Sequence, residues 1–374
     1  MSGIYIHIPF CKQACHYCDF HFSTSLKKKE EMLRALHSEL ILRASELGEE
    51  EVATIYFGGG TPSVLETEEI NSLVDTVYKN YNVIAHPEIT LEANPDDLSS
   101  EKLKQLAASK INRLSIGVQS FFEEDLVLMN RAHNAQQAEN CLAEATQYFS
   151  NISIDLIYGI PEMSMARWKQ NIEKALSFNL VHISSYALTV EPKTALHKMV
   201  HKGQVKAPSE ALAQEHFTEL VHTLAAHGYV HYEISNFGKP NFFSKNNTAY
   251  WQGKKYLGIG PSAHSFNGTS RSWNIANNIK YITAITQGRL PKEVEHLSLE
   301  DRYNEYVMTG LRTIWGVSLP FITNTFGERF YQHILKEADK HLTHQLVEIK
   351  EDVLKVTAKG KFLCDGIASD LFIL

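Results

Sequence analysis

The chain lacks any apolar run approaching the length of a membrane span, and its first residues show no basic segment followed by an apolar core. These absences argue against a membrane-spanning helix and a secretory signal, so we expect a soluble, cytoplasmic protein. A basic excess is also missing, because 36 Lys and Arg stand against 43 Asp and Glu. The net charge of −7 argues against a general nucleic-acid binder, which needs a cationic face.

Cysteine is scarce, with five residues in 374, and their spacing does not suggest a disulfide framework. Cys141 lies in a helical pattern and Cys364 near the C-terminus, and both are predicted to belong to the core. The other three, Cys11, Cys15 and Cys18, are crowded into one segment. This distribution fits a reducing compartment.

The C-x3-C-x2-C spacing of Cys11, Cys15 and Cys18 supplies three thiolates from one short loop. A [4Fe–4S] cluster takes one thiolate per iron, so three thiolates leave one iron open for another ligand. Phe20 stands where a further cysteine could have completed the set. Two alternatives remain from the residues alone, a zinc site completed by a histidine or three unrelated buried thiols. The histidines that could complete a zinc site are His7, His16 and His21.

β-like runs alternate with amphipathic helical patterns over the first half of the chain. Such alternation predicts βαβ units and a parallel sheet, and six units are too few for a closed eight-stranded barrel. We therefore predict an α/β fold, an open partial (β/α)6 barrel. The predicted strands are 4–8, 53–57, 88–92, 112–118, 152–158 and 182–188. The predicted helices between them are 28–47, 66–79, 99–109, 135–148 and 165–178.

Polar or glycine-rich residues occur in or directly after the predicted strands. In barrels of this type, ligands bind at the carboxyl ends of the strands. Each of these residues alone would fit an ordinary structural position, but the shared rim predicts a ligand site. They are the cysteine loop, 58–62, 92–95, Gln119, Ser120, Asp155, Ala187 and Thr189.

Two further regions follow the predicted barrel. Residues 206–297 are rich in aromatic side chains, which fit either core packing or a cover over the barrel mouth. From 298 onward, two helical patterns precede a hairpin pattern at 346–358, which predicts a small winged-helix-like domain that docks against the barrel. The predicted domains are 1–205, 206–297 and 298–374.

Four segments and the cysteine motif resemble the oxygen-independent coproporphyrinogen III oxidase family of radical S-adenosylmethionine (SAM) proteins. The segments are 5–11 (YIHIPFC), 57–63 (FGGGTPS), 115–120 (SIGVQS) and 155–161 (DLIYGIP). The resemblance covers nearly the whole chain. It implies a [4Fe–4S] cluster and SAM as cofactors. One-electron reduction of the cluster would cleave SAM into methionine and a 5′-deoxyadenosyl radical.

The resemblance also implies which residues form the cofactor site. The cluster ligands would be Cys11, Cys15 and Cys18. The SAM-contacting residues would be Tyr5, Tyr17, Gly59, Gly60, Thr61, Glu92, Gln119, Arg131, Asp155 and Ala187. The glycine turn would meet the methionine part of SAM, and the Arg131 guanidinium would pair with its carboxylate.

Within this family, three features favour the heme-chaperone branch, HemW, over the coproporphyrinogen dehydrogenases. Phe20 replaces a cysteine of the dehydrogenases, the sequence begins only four residues before Tyr5, and 232–237 resembles a HemW-type segment. A member of this branch would bind heme and deliver it to apo-hemoproteins. The alternatives are porphyrinogen oxidation and radical SAM chemistry on another substrate, so the sequence leaves enzyme activity undecided.

One motif departs from the HemW pattern. The H-N-x-x-Y-W sequence typical of that branch reads N-N-T-A-Y-W at 246–251, with Asn246 in place of histidine. An asparagine amide is a poor iron ligand beside an imidazole. His231 and His264 are candidate substitutes, although each also fits an ordinary structural position. The sequence does not identify the heme ligand, the recipient protein or the oligomeric state.

Overall fold

The structure, a computed structural model, describes residues 1–374. Its first half alternates strands and helices as predicted, and every predicted strand overlaps an observed one. The strands are β1 (Ser2–Ile8), β2 (Val52–Gly59), β3 (Val83–Ala93), β4 (Arg113–Gln119), β5 (Ile152–Tyr158) and β6 (His182–Ala187). The helices are α1 (Lys29–Leu42), α2 (Thr67–Asn80), α3 (Ser100–Ala107), α4 (Glu123–Leu128), α5 (Ala135–Tyr148) and α6 (Met165–Ser177).

The six strands lie side by side in chain order, and each neighbouring pair is parallel. On β1, the side chains of Ile4, Ile6 and Ile8 are fully buried under the surrounding helices. Because side chains alternate along a strand, Tyr5 and His7 point to the opposite face. The two edges of the sheet do not meet, so the predicted open partial barrel is confirmed.

Short strands extend this sheet at both edges and are joined by further helices. The strands are β7 (Val230–Glu233), β8 (Asn236–Gly238), β9 (Tyr256–Ile259), β10 (His264–Phe266), β11 (Ser270–Asn274) and β12 (Lys292–His296). The helices are α7 (Ala195–His201), α8 (Glu210–Ala226), α9 (Lys245–Trp251) and α10 (Asn278–Thr286). β9 pairs parallel with β1, and β8 pairs antiparallel with β6.

The last part of the chain has a hydrophobic core of its own, built from 17 buried residues between Tyr303 and Ile373. The two predicted helices and the hairpin are confirmed, and β13 adds a third strand to the hairpin. The domain limits at 205/206 and 297/298 stay a prediction. The elements are α11 (Leu299–Leu311), β13 (Val317–Ser318), α12 (Leu319–Phe326), α13 (Glu328–Thr343), β14 (Val347–Lys350), β15 (Val353–Val356) and α14 (Cys364–Asp370).

A buried charge network fastens α1 to the strands beyond β1. The Glu39 carboxylate accepts hydrogen bonds from Arg43 Nη1 at 3.1 Å and Asn274 Nδ2 at 2.7 Å. It also accepts from the Gly260 backbone N–H at 2.8 Å and from the Tyr281 hydroxyl at 2.5 Å. Both charged side chains are inaccessible to solvent. The network therefore holds the edge that carries β9 to β12 against the barrel.

Cys141 and Cys364 are both buried in the hydrophobic cores, as predicted. None of the helices combines the length and the apolar character that a membrane crossing requires.

Candidate cofactor site

The cysteine loop leaves the carboxyl end of β1 and is tied down by backbone hydrogen bonds. The Cys11 N–H donates to the Ser23 carbonyl at 3.1 Å, and the Cys18 N–H donates to the Cys15 carbonyl at 3.3 Å. All three loop cysteines are free thiols. The loop thus presents three unpaired sulfur atoms at the rim of the barrel.

A cavity of about 440 Å3, the cysteine cavity, opens at the carboxyl ends of the six parallel strands. It brings together every cluster ligand and SAM contact that the resemblance implies, except Tyr5. The predicted residues that line it are Cys11, Cys15, Tyr17, Cys18, Gly59, Gly60, Thr61, Glu92, Gln119, Arg131, Asp155 and Ala187. Residues far apart in the sequence therefore meet around one volume, as the strand-end rule predicts.

Tyr5 lies instead on a second cavity of about 660 Å3, the histidine cavity. Its hydroxyl is 3.3 Å from His7 Nδ1, and its ring stacks at 6.1 Å on Tyr56. The histidine cavity is lined by residues that include Tyr5, His7, His21, Asn246, Tyr250, Lys254, Tyr256, His264 and Arg271. The two cavities have Asp19, Phe20, Gly59 and Glu92 in common.

The glycine turn after β2 packs its backbone directly on the strand that carries the cysteine loop. The Gly60 N–H donates to the Ile8 carbonyl at 2.9 Å, and the Thr61 N–H donates to the Phe10 carbonyl at 2.7 Å. A Cβ at Gly60 would lie 2.6 Å from the Phe10 carbonyl oxygen, so no side chain fits there. Gly59 has φ of 103°, a conformation that glycine adopts without strain. The turn therefore offers bare backbone to the cavity.

Arg131 reaches the cavity from the segment after α4. Its Nη1 donates to Cys15 Sγ at 3.1 Å, and its Nη2 donates to Asn94 Oδ1 at 2.6 Å and the Gly117 carbonyl at 2.8 Å. Its Nε is buried and has no hydrogen-bond partner. The guanidinium is thus held in place beside a cysteine sulfur and keeps one donor unpaired.

Two carboxyl groups, Glu92 and Asp155, line the same cavity. Burial raises the pKa of Glu92 to about 7, although a hydrogen bond from the Tyr56 hydroxyl at 2.7 Å opposes the shift. Burial likewise raises the pKa of Asp155 to about 6. A cation that enters the cavity favours the ionised forms of both groups.

Two of the loop thiols are poor acids without a metal. Burial raises the pKa of Cys11 to about 12 and that of Cys18 to about 11. Because only thiolates bind metal, loading the loop must release protons.

The histidines of the zinc alternative are occupied elsewhere. His7 Nε2 bonds to the His21 carbonyl at 2.9 Å, His16 Nδ1 to the Leu128 carbonyl at 2.9 Å, and His21 Nε2 to Asn278 Oδ1 at 2.8 Å. No three His, Cys, Asp or Glu side chains converge on a point where one metal ion could be held. The three cysteines of the loop offer thiols, which suit an iron–sulfur cluster.

Gln119 ends β4 with φ of 70°, an unusual value for a residue with a side chain. Strained backbone of this kind is concentrated at functional sites. Sequence reasoning missed the roles of Tyr56, which hydrogen-bonds Glu92, and of Asn94, which holds Arg131. The alternation of inward-facing and outward-facing side chains along β2 could have indicated Tyr56. Nothing in the sequence near Asn94 indicates its partner.

The two candidate substitutes for the motif histidine differ sharply. His231 is stacked at 4.2 Å on Phe237, and its two ring nitrogens contact Lys361 Nζ and the Ile234 carbonyl. His264 is exposed and lines the histidine cavity, which Asn246 also borders. His231 is therefore a structural histidine, while His264 remains available.

The sequence left two interpretations of the aromatic side chains in 206–297, core packing or a cover over the barrel mouth. The structure shows some of them packed in the interior and others on a cavity wall. Phe237 is buried, and Phe243 stacks at 4.4 Å on the buried Tyr232. Tyr250 and Tyr256 instead line the histidine cavity.

The residues of the cysteine cavity fit the cofactors that the resemblance implies. Three free thiols match a three-cysteine cluster, the bare glycine turn allows close approach of a ligand, and the unpaired Arg131 Nε can donate a hydrogen bond to an anionic oxygen. The two carboxyl groups suit a ligand that carries positive charge.

Comparisons with known proteins agree with this geometry. The family model of the radical SAM superfamily matches residues 5–175, and that of the HemN C-terminal domain matches residues 297–363. The heme chaperone HemW of Bacillus subtilis is 35% identical over 97% of both chains, and that of Lactococcus lactis is 34% identical over 98% of both. The structure of coproporphyrinogen III oxidase (HemN) from Escherichia coli, a radical SAM enzyme, superposes with a TM-score of 0.85. It is 25% identical and covers 99% of this chain and 89% of its own.

Proposed function

The chain belongs to the HemW family of radical SAM proteins, and from this premise we propose that it is a heme chaperone that carries a [4Fe–4S] cluster and binds SAM. The observation that carries the proposal is the match to a HemW protein at 35% identity over 97% of both chains. We further propose that the protein acts in the cytoplasm and passes heme to apo-hemoproteins.

The proposed cluster ligands are Cys11, Cys15 and Cys18. Three thiolates leave one iron without a protein ligand, and when bound together the cluster and SAM supply one-electron chemistry. Arg131 supports this assignment, since its Nη1 already donates to Cys15 Sγ and would stabilise the thiolate.

The proposed SAM site uses the remaining residues of the cysteine cavity. The backbone of Gly59, Gly60 and Thr61 would contact the methionine part, and the unpaired Nε of Arg131 would pair with its carboxylate. Glu92 would accept hydrogen bonds from the ribose hydroxyls. The other proposed contacts are Tyr17, Gln119, Asp155 and Ala187, and Tyr5 would act from the adjoining histidine cavity.

Heme titration of the anaerobically reconstituted protein, followed by transfer, tests the proposed function. We expect saturable binding of one heme per chain, seen as a Soret band distinct from that of free hemin. Mixing the loaded protein with a heme-free cytochrome b domain should then move the heme to that domain faster than dissociation into buffer. Absence of saturable heme binding in a cluster-loaded sample would contradict the proposal.

A second candidate function is oxidation of coproporphyrinogen III, favoured by the TM-score of 0.85 to the E. coli HemN structure. Phe20 argues against this second function, because the family resemblance implies a cysteine at that position in the dehydrogenases. A product assay with SAM, a strong reductant and coproporphyrinogen III decides between the two functions. A known dehydrogenase serves as the positive control. We expect no protoporphyrinogen from cluster-loaded protein, and multiple turnovers would establish an enzyme instead.

A further inference from the structure

His264 is the one imidazole on the histidine cavity that makes no hydrogen bond. His7 is buried, and its Nδ1 and Nε2 contact the Tyr5 hydroxyl and the His21 carbonyl. The Nε2 of His21 is held by Asn278 Oδ1 at 2.8 Å. The exposed ring of His264 only packs against Trp273 at 5.9 Å. Both of its ring nitrogens are therefore free to bind a ligand.

Given the proposed function, on which this inference rests, we propose that heme binds in the histidine cavity and that His264 supplies an axial ligand to its iron. Imidazole is a common protein ligand of heme iron. Partial burial and the nearby Arg271 lower the pKa of His264, which keeps the ring neutral and its lone pair available at neutral pH.

The walls of the histidine cavity match the chemistry of a porphyrin. Its volume of about 660 Å3 falls inside the usual range for small-molecule sites, roughly 300–1,000 Å3. Tyr250 and Tyr256, with ring centroids 5.7 Å apart, give it aromatic surface. Phe20 adds an apolar side chain that is 68% exposed. A flat apolar ring would cover this surface.

Cationic groups at the rim suit the two propionates of heme. Lys254 is exposed and forms no ion pair, and Arg271 is paired only with Glu305, at 2.6 Å. Carboxylates pair readily with both side-chain types. The cavity thus offers an iron ligand, an aromatic wall and anion partners together.

A rival location is the aromatic cavity of about 480 Å3, which Trp315, Tyr306 and Phe326 help to line. It contains no histidine, cysteine or methionine. Tyr250 and Tyr256 border both cavities, and Tyr250, 47% exposed, is the more accessible phenol. It is therefore the alternative iron ligand that the test must separate from His264.

The test is heme titration of four chains, all reconstituted with the cluster: wild type, His264→Ala, Tyr250→Phe and His222→Ala. His222 is an exposed histidine on α8 and serves as the matched control. Loss of even an outer partner of a metal ligand lowers affinity about tenfold or more. We therefore expect at least that loss in His264→Ala, with a shifted Soret band that added imidazole restores. The His222→Ala and Tyr250→Phe proteins should keep the wild-type spectrum.

The outcomes separate this inference from the proposed function. If wild type binds heme and His264→Ala gives the same affinity and spectrum, His264 is not the ligand and the heme-chaperone proposal stands. A shift in Tyr250→Phe alone assigns the phenol and also overturns the inference. Failure of wild type to bind heme overturns both. Should His264→Ala not fold, His264→Met must show a methionine-type spectrum, and an unchanged spectrum overturns the inference.

Discussion

At the scale of single residues, Cys15 is the proposed cluster ligand whose loss is easiest to interpret. Its sulfur is partly exposed to the cavity and accepts a hydrogen bond from Arg131 Nη1 at 3.1 Å. It takes no part in a hydrophobic core. We expect Cys15→Ser to keep the fold and thermal stability but to abolish the cluster, because a hydroxyl replaces a thiolate ligand. Iron and acid-labile sulfide content after anaerobic reconstitution measure the loss.

Cys141→Ala is the matched control for this substitution. Cys141 is buried on α5 and does not line the cysteine cavity, so its removal should leave the iron content unchanged. Normal iron and sulfide in Cys15→Ser would remove the cysteine from the ligand set.

Glu92 makes the stability of the ligand-free protein depend on pH. Its folded pKa of about 7 lies above the ordinary value of 4.5, so the unfolded chain binds fewer protons between these values. The contribution of Glu92 to the free energy of unfolding is therefore fully present below pH 4.5 and is lost as pH rises to about 7. We expect Glu92→Gln to become more stable than wild type by about 2 kcal/mol at pH 8, a value discounted for cavity water. Urea unfolding at pH 5 and pH 8 measures this gap.

The control is Glu68→Gln, because Glu68 is exposed on α2. Its unfolding free energy should differ from wild type by a similar small amount at both pH values. An advantage of Glu92→Gln that stays constant from pH 5 to pH 8 would show that Glu92 titrates alike in the folded and unfolded chains.

At the scale of elements, the strands of the barrel could be predicted and those of its edge could not. Each barrel strand is a β-like run of six to eleven residues between amphipathic helices, so local patterns suffice. By contrast, β9 to β12 contain three to five residues each and are defined by pairing with distant strands. The cysteine cavity could be predicted from the ends of the barrel strands. The histidine cavity could not, because it forms only where β9 lies beside β1. Tyr5, which the resemblance implies as a SAM contact, lines the histidine cavity, and its role stays a prediction.

The attachment of this edge depends on the buried carboxylate of Glu39 on α1. Its removal would take one of two carboxylate partners from the buried Arg43 guanidinium, which keeps Glu46 at 2.8 Å. It would also leave donors of Asn274 and Tyr281 without their acceptor. Breaking a buried pair from one side costs about 3–5 kcal/mol, and the Glu46 partner that Arg43 keeps places this loss at the lower end, about 3 kcal/mol. We expect Glu39→Ala to lower the free energy of unfolding by that amount, measured by denaturant titration.

Glu30→Ala is the control on the same helix. Glu30 is 86% exposed and pairs with Arg34 at 3.8 Å across one helical turn. Exposed pairs contribute about 0–1 kcal/mol, so this substitution should change stability little. Equal losses in the two variants would mean that the network does not fasten the edge.

At the scale of the whole molecule, the two cavities share Asp19, Phe20, Gly59 and Glu92. Asp19 and Phe20 follow the cysteine loop directly, and both are exposed. A ligand in the cysteine cavity would therefore contact part of the wall of the histidine cavity. Ordering by a first ligand reduces the entropy that a second ligand must overcome, which gives positive coupling without a large structural change.

We therefore expect SAM to raise the affinity for heme by about fivefold or more, within the usual range of coupling between sites. Heme titrations of the cluster-loaded protein with and without saturating SAM measure this factor. Thermodynamic linkage requires heme to raise the affinity for SAM equally, which calorimetry checks independently. A factor of one in both directions would mean that the shared wall does not connect the sites.

Phe20→Ala tests whether the shared wall carries this coupling, because its side chain is 68% exposed and lines both cavities. Phe321→Ala is the control, since Phe321 is 44% exposed and lines only the aromatic cavity. We expect the coupling factor to fall toward one in Phe20→Ala while the cluster content stays normal. The Phe321 variant should keep the wild-type factor. Loss of coupling in both variants would mean that the loop between the two cavities is not the specific carrier of the coupling. The coupling would then originate in the packing of the C-terminal region.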